Sequence, residues 1–246
     1  MNSLLASPLL TLIAFICFCG FPLTGVCISQ VSVHAQDVNL LANLRAELVK
    51  TWPKNRSIRI VFHGHSVPAG YFRTPTVRTF DAYPSLFHRS LCDRYPTAVI
   101  DVSVTAIGGE NSVLGAKRFE RDVLSQTPDL VFIDYGLNDR GMGLKAASEA
   151  WRSMILACKN ASVPMVLLTP TPDANEDLFN DDAPVAQHAA QIRQLAAELG
   201  VLLIDSHEAF RTKVRNGESL ESLMAQGNHP NRAGHEIVAE LLNSLL

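Results

Sequence analysis

The amino-acid sequence predicts an α/β fold: a three-layer, doubly wound, mostly parallel sheet of five strands with helices on both faces. Two observations lead there. From residue 58 to the end, short apolar runs alternate with segments whose apolar residues recur at helical spacing. The central run, Leu130-Val131-Phe132-Ile133, is apolar without a break, as a strand covered on both faces must be.

Each element follows from its own pattern. Residues 38–50 form an amphipathic lead-in helix that stops before Trp52-Pro53, because the residue ahead of a proline is pushed out of the helical region. Residues 58–63 are the first strand. A helix over 83–94 puts Leu86, Phe87 and Leu91 on one side. The second strand covers 98–104 and is followed by a helix over 111–124. The third strand is 130–134, and the helix over 145–159 aligns Trp151, Met154, Ile155 and Cys158. Strand four (164–168), a helix (183–199), strand five (201–204) and a closing helix (232–246) complete the domain. Two long loops, 68–81 and 169–182, follow strand ends, where functional loops belong. The second holds Asp173, Glu176, Asp177, Asp181 and Asp182 and reads as a solvated acidic loop.

The 246 residues are 47% apolar and 18% charged, with a net charge of -3, so no basic surface argues for a nucleic-acid partner. Residues 1–35 contain no Lys, Arg, Asp or Glu and carry a long apolar stretch ending in Val33-His34-Ala35. They read as an export signal cleaved after Ala35. That leaves residues 36–246 as one domain, secreted or periplasmic, with no stable membrane insertion. The alternative is an uncleaved N-terminal membrane anchor, which Pro8, Gly20, Pro22 and Gly25 interrupt as a helix. Cys92 and Cys158 remain in the mature chain and read as two buried thiols, with a disulfide between them left open.

The chemistry gathers at strand ends. Gly64-His65-Ser66 ends the first strand in a turn carrying a serine, Gly108-Gly109-Glu110-Asn111 follows the second, and Gly136-Leu137-Asn138-Asp139 follows the third. Gly227-Asn228-His229-Pro230-Asn231 precedes the last helix. Serine is inert as a nucleophile until a base takes its proton, and histidine titrates in the range that suits this task. No Cys, His and carboxylate cluster shows metal-ligand spacing, and no metal or other cofactor is expected. His65 is expected to shape the serine turn through a hydrogen bond.

These blocks resemble those of the SGNH (GDSL) hydrolase family over nearly all of the chain from residue 58 onward. The resemblance implies a flavodoxin-like fold and a serine esterase, with Ser66 as nucleophile and His229 as base. It also implies an oxyanion hole made by the N–H groups of Ser66 and Gly109 and the amide of Asn138. Gly-x-Asn-Asp is matched in full at 136–139, whereas His65 stands where the family has Asp. The position three before His229, where the family carries the acid of the triad, is Gln226. Three readings follow: a Ser66–His229 dyad oriented by a backbone carbonyl or by Gln226, an acid supplied from elsewhere, or an inactive descendant. Asp205 is a distant candidate acid, but a helix N-cap is its more ordinary role. The expected substrate is a small acyl ester, an O-acetyl carbohydrate by family analogy. Alternatives are a lipid ester, transfer of the acyl group to a sugar alcohol, and a non-catalytic binding module.

Overall fold

The computed structural model describes residues 31–32 and 35–246. Five parallel strands, β2 (Ser57–Gly64), β3 (Val99–Val104), β4 (Leu130–Asp134), β5 (Met165–Leu168) and β6 (Leu202–Ile204), lie side by side in the order β3-β2-β4-β5-β6. A two-residue strand, β1 (Val31–Ser32), adds to β6 in antiparallel fashion at one edge. Numbered by their own succession the parallel strands run 2-1-3-4-5, so the direction of winding reverses between β2 and β4. That reversal opens a crevice beyond their carboxyl ends.

Period-two alternation sends neighbouring strand residues to opposite faces. Phe62, Leu130 and Phe132 pack under α1 (Ala35–Leu48), α3 (Tyr83–Arg94) and α9 (Arg232–Asn243). The rings of Phe62 and Phe132 stack there at 4.5 Å. Val61, Val131 and Ile133 face α4 (Ser112–Asp122), α5 (Leu144–Asn160) and α6 (Pro184–Leu199). Trp151, Met154, Ile155 and Cys158 form the buried stripe of α5, as their spacing predicts.

The expected elements are all present, with ends displaced by at most three residues and those of α3 and β4 in place. The stretch between β6 and α9 is richer than the sequence suggests. It holds α7 (Ser206–Arg215), the single turn α8 (Leu220–Leu223) and a small hairpin, β7 (Met224–Gln226) with β8 (His229–Pro230). Asp205 caps α7 through a side-chain bond from the Glu208 N–H. Cys92 corrects an expectation: it is exposed on α3 beside the fully buried Leu91, while Cys158 is buried, and both are free thiols. One residue along a helix is a rotation of about 100°, enough to carry Cys92 off the apolar stripe. The expected leader, residues 1–35, lies outside the described residues except for Val31–Ser32 and Ala35. Among the described residues no helix is long and apolar enough to cross a membrane.

Candidate active site

Ser66 opens the one-turn helix α2 (Ser66–Ala69) directly after β2. The turn is tight because Gly64 sits against β4: a Cβ there would lie 2.4 Å from the Asp134 carbonyl oxygen. His65 caps α2, its Nδ1 accepting from the Val67 N–H at 3.2 Å. The expected turn-shaping role of His65 is therefore met by a hydrogen bond. At the first helical position the N–H of Ser66 has no acceptor within its own helix.

His229 arrives from the other side of the crevice. The β7–β8 hairpin reverses over Gly227-Asn228 and pairs Gln226 with His229 across the strands, so side chains three apart in sequence become neighbours. Asn231 then caps α9 by accepting from the Gly234 N–H, and Gly234 lets the helix press against α8, where a Cβ would meet the Leu223 carbonyl at 2.4 Å. This packing delivers the imidazole to the serine: His229 Nε2 and Ser66 Oγ are 2.9 Å apart, and both residues are 5% exposed.

The other ring nitrogen decides what the imidazole can do. His229 Nδ1 lies 3.2 Å from the Phe72 carbonyl oxygen and 2.9 Å from Gln226 Nε2. The Gln226 oxygen is occupied by the Thr74 N–H at 3.0 Å, so the amide turns its NH2 end toward the ring. A protonated Nδ1 donates to the Phe72 carbonyl and leaves Nε2 free to accept the serine proton. The opposite tautomer would accept from Gln226 and donate to Ser66, which deactivates it. Burial is the main influence on the titration of His229 and holds its pKa below the ordinary 6.5. The bond to Phe72 and the charge of Asp173 work in the other direction, and His65 adds to the lowering.

Two further loops line the crevice. The turn 107–110 closes with the Glu110 N–H on the Ile107 carbonyl at 3.2 Å, and it is tied to the serine turn by the Ile107 N–H on the Gly64 carbonyl at 3.0 Å. Gly109 takes φ +78 at its third position, a conformation that side chains resist, and the space beside it is open. Asn138, after β4, donates from Nδ2 to the Glu110 carbonyl at 2.9 Å, which keeps one amide N–H for another acceptor. Tyr71 lies between these parts: its ring is 5.9 Å from that of His229, and it packs so closely on Gly108 that a Cβ there would be 2.8 Å from the phenol oxygen.

The structure thus brings Ser66 and His229 into direct contact and ties the loops of Gly109 and Asn138 to each other. It does not bring Asp205 to the site: that carboxylate pairs with Arg193 at 2.6 Å and accepts from Thr169 at 2.9 Å. Sequence reasoning allowed for a backbone carbonyl at His229 without identifying it as that of Phe72, and it passed over the roles of Asp139 and Asp173. The Phe72 carbonyl carries no side-chain signal at all. Asp139 is buried, accepts from the Ser112 N–H and from Trp151 Nε1 at 2.8 Å each, and so anchors the start of α4 beside the 107–110 turn. Its place in the Gly-x-Asn-Asp block was the available clue. Asp173 departs from the solvated acidic loop that the sequence suggests: it is buried and paired with Arg140 at 2.8 Å. The loop has to sit there because the Ala174 N–H bonds to the Gly227 carbonyl at 2.6 Å, closing it over the hairpin that bears the histidine.

A model of the GDSL-like lipase/acylhydrolase family matches residues 62–237. An acetylxylan esterase of Geobacillus stearothermophilus is 28% identical over 158 residues, which are 59% of this chain and 71% of that protein. The solved structure of a catalytic mutant of an acetylxylan esterase from the same organism superposes with a TM-score of 0.65 at 24% identity, over 76% of this chain and 93% of that one. A two-domain esterase active on acetylated mannans gives 0.69 at 20% identity, over 84% of this chain and 52% of that one. At such identities the two structures speak to the shared fold.

Proposed function

The chain belongs to the GDSL-like lipase/acylhydrolase family and is an enzyme that hydrolyses ester bonds; from that premise we propose that Ser66 and His229 cleave small acyl esters, O-acetyl groups on carbohydrate, through an acyl-enzyme. The observation that carries this reading is the 2.9 Å approach of His229 Nε2 to Ser66 Oγ, with the Phe72 carbonyl as acceptor for Nδ1.

In the proposed reaction Ser66 Oγ attacks the ester carbonyl carbon as its proton passes to His229 Nε2. The carbonyl oxygen becomes an oxyanion facing the N–H groups of Ser66 and Gly109 and the amide N–H of Asn138 that Glu110 leaves unused. The imidazolium, held through Nδ1 by Phe72, then gives its proton to the departing sugar oxygen. Water, activated by the same histidine, attacks the acyl-enzyme, releases the acid and restores Ser66. A backbone carbonyl carries a partial charge where the family's carboxylate carries a full one, so Phe72 orients the ring and stabilises its cation less. Tyr71 beside the base and the 107–110 turn crowds the site, which supports a short acyl group over a long one. The acetylxylan and acetylated-mannan esterases among the similar proteins support the carbohydrate alcohol.

Export with cleavage after Ala35 is part of the same proposal and rests on the uncharged apolar leader. The test of the activity is acetate release from acetylated xylan and from p-nitrophenyl acetate, with Ser66→Ala as control. Loss of both activities in the variant is expected, together with a rate on the acetyl ester well above that on a twelve-carbon ester. Wild-type turnover no faster than that of Ser66→Ala would end the mechanism, and a preference for the long chain would end the substrate assignment.

A further inference from the structure

Among the buried carboxylates that the proposed reaction leaves unused, Glu110 lies nearest in sequence to Gly109. Glu110 is 8% exposed, and its carboxylate is fully engaged. Arg118 Nε reaches both carboxylate oxygens at 2.9 Å and Nη2 bonds to Oε2, while the Tyr135 hydroxyl donates to Oε2 at 2.7 Å. The same Arg118 nitrogen lies 3.0 Å from the Tyr135 hydroxyl. Space for this phenol exists because residue 115 is glycine: a Cβ there would stand 2.3 Å from the Tyr135 ring. Burial and the neighbouring Glu110 keep the phenol protonated well above its ordinary pKa, so it remains a donor. His63 completes the cluster, with Nε2 3.1 Å from the hydroxyl, and burial lowers its pKa to about 4, so it is neutral.

Charged groups are removed from water at a cost, and a cluster like this returns structural definition only where it holds something in place. The loops on either side show what it holds. Glu110 ends the turn that contains Gly109 and offers its carbonyl to Asn138 Nδ2. Tyr135 begins the loop of Asn138 and accepts the Asn138 N–H on its own carbonyl at 3.1 Å. The carboxylate therefore grips one loop through its backbone and the other through Tyr135, and Arg118 fastens both to α4.

We propose that Glu110 is a positioning residue for the transition state: with Arg118 and Tyr135, its carboxylate fixes the separation of the two loops that present Gly109 and Asn138 to the oxyanion. This rests on the oxyanion role proposed above for Asn138. Donors aimed at the oxyanion act in the transition state far more than on the bound ester, so a displacement lowers kcat and spares KM. Misplacement of reacting groups by about 1 Å costs on the order of 100-fold, and a partial displacement roughly 10-fold.

The test is a double-mutant cycle on p-nitrophenyl acetate hydrolysis with Glu110→Gln, Asn138→Ala and the pair, each checked by thermal unfolding. Glu110→Gln keeps the shape and removes the charge that Arg118 and Tyr135 share. The expected result is a kcat lower by about 10-fold with KM changed less than about twofold. In the Asn138→Ala background the same substitution should cost less than about threefold, because the donor it positions is already gone. Equal losses in both backgrounds, an unchanged kcat, or a loss confined to KM would overturn the positioning role. Should Glu110→Gln not fold, Arg118→Lys, which keeps the charge and loses the forked contact, is carried through the same cycle with the same outcomes. If Asn138→Ala alone leaves kcat intact, the oxyanion assignment fails and this inference with it. A normal Asn138 effect with an inert Glu110 removes the inference alone.

Discussion

Replacing Gln226 by Glu exchanges one NH2 for an oxygen and leaves the side chain otherwise isosteric. In the wild type the amide oxygen is taken by the Thr74 N–H and the amide nitrogen stands 2.9 Å from His229 Nδ1. In the variant one carboxylate oxygen keeps Thr74 and the other accepts from Nδ1–H. The rival donor disappears, and an anion faces the imidazole. An opposite charge at this range raises a pKa by about 1–3 units, each unit being about 1.36 kcal/mol between the two protonation states. His229 begins below 6.5 because of burial, so the acid limb of kcat/KM should move up by at least about one unit. The sign is fixed by the role: His229 works as a base and must start neutral, so activity is lost as pH falls through its pKa. On the alkaline plateau the imidazolium formed in the transition state gains the stabilisation. A rise of about 10- to 100-fold, or about 1.4–2.7 kcal/mol, is expected there. The two profiles should converge at acidic pH, where the variant's greater protonation cancels its gain. The assay is kcat/KM for p-nitrophenyl acetate from about pH 5 to 9 on wild type and Gln226→Glu, with thermal unfolding of both. A folded variant whose acid limb stays in place, or whose plateau falls, would refute the account of Nδ1.

Other expectations follow from the same geometry. Asn138→Ala should lower kcat by roughly 100-fold or more with little change in KM, since it removes one oxyanion donor; steady-state kinetics on the acetyl ester decides it, and a loss in KM alone would oppose the role. Gly64→Ala should destabilise by at least about 1–3 kcal/mol, because its Cβ would meet the backbone oxygen of Asp134 at 2.4 Å and neither strand can yield; a denaturant titration showing no change would contradict the close approach. Burial lowers His63, His207 and His235 each to about 4, below the unfolded value. Their contribution to stability is complete above pH 6.5 and is lost as pH falls from 6.5 toward 4, on the order of 2–3 kcal/mol per group at the lower end. Thermal unfolding should therefore soften steadily over that window, and a flat profile would count against three neutral buried imidazoles.

The parts of the fold that were legible are those where burial imposes a period. Leu130 to Ile133 and the stripe from Trp151 to Cys158 are read directly because both faces of one, and one face of the other, are covered. The region 205–231 resisted because its elements are short and held by contacts from outside. Helix α7 carries Glu208, Arg211, Lys213 and Arg215 among its ten residues and owes its place to the Asp205 cap and the buried Phe210. The hairpin β7–β8 has only five residues in strands, too few for any alternation to emerge. In the site, Ser66, Gly109, Asn138 and His229 are marked by residue type and by position at strand ends. Phe72 is invisible in principle, since every residue has a carbonyl and only the path of the chain selects this one. Gln226 was visible as a departure, and the structure adds which end of its amide faces the ring.

A carbonyl can stand in for an acid only if it is held where the ring needs it, and the 70–78 loop is held from several directions. The Phe72 N–H bonds to the Thr76 carbonyl at 3.0 Å, and the Arg78 N–H to the Gly70 carbonyl at 2.7 Å. The Arg78 guanidinium lies over the Phe72 ring at 3.9 Å. Across the crevice Arg73 Nε donates to the Ala225 carbonyl at 2.7 Å, and Thr74 bonds to Gln226. None of these ties passes through the imidazole, so the carbonyl keeps its place when His229 gains or loses a proton. That constancy is what a preorganised dipole contributes: orientation at no reorganisation cost, with less charge than a carboxylate. On this view Gln226 does not replace the acid's electrostatics. It replaces the acid's mechanical task, tying the loop that carries the carbonyl to the hairpin that carries the base, and the Gln226→Glu variant asks the same position to do both.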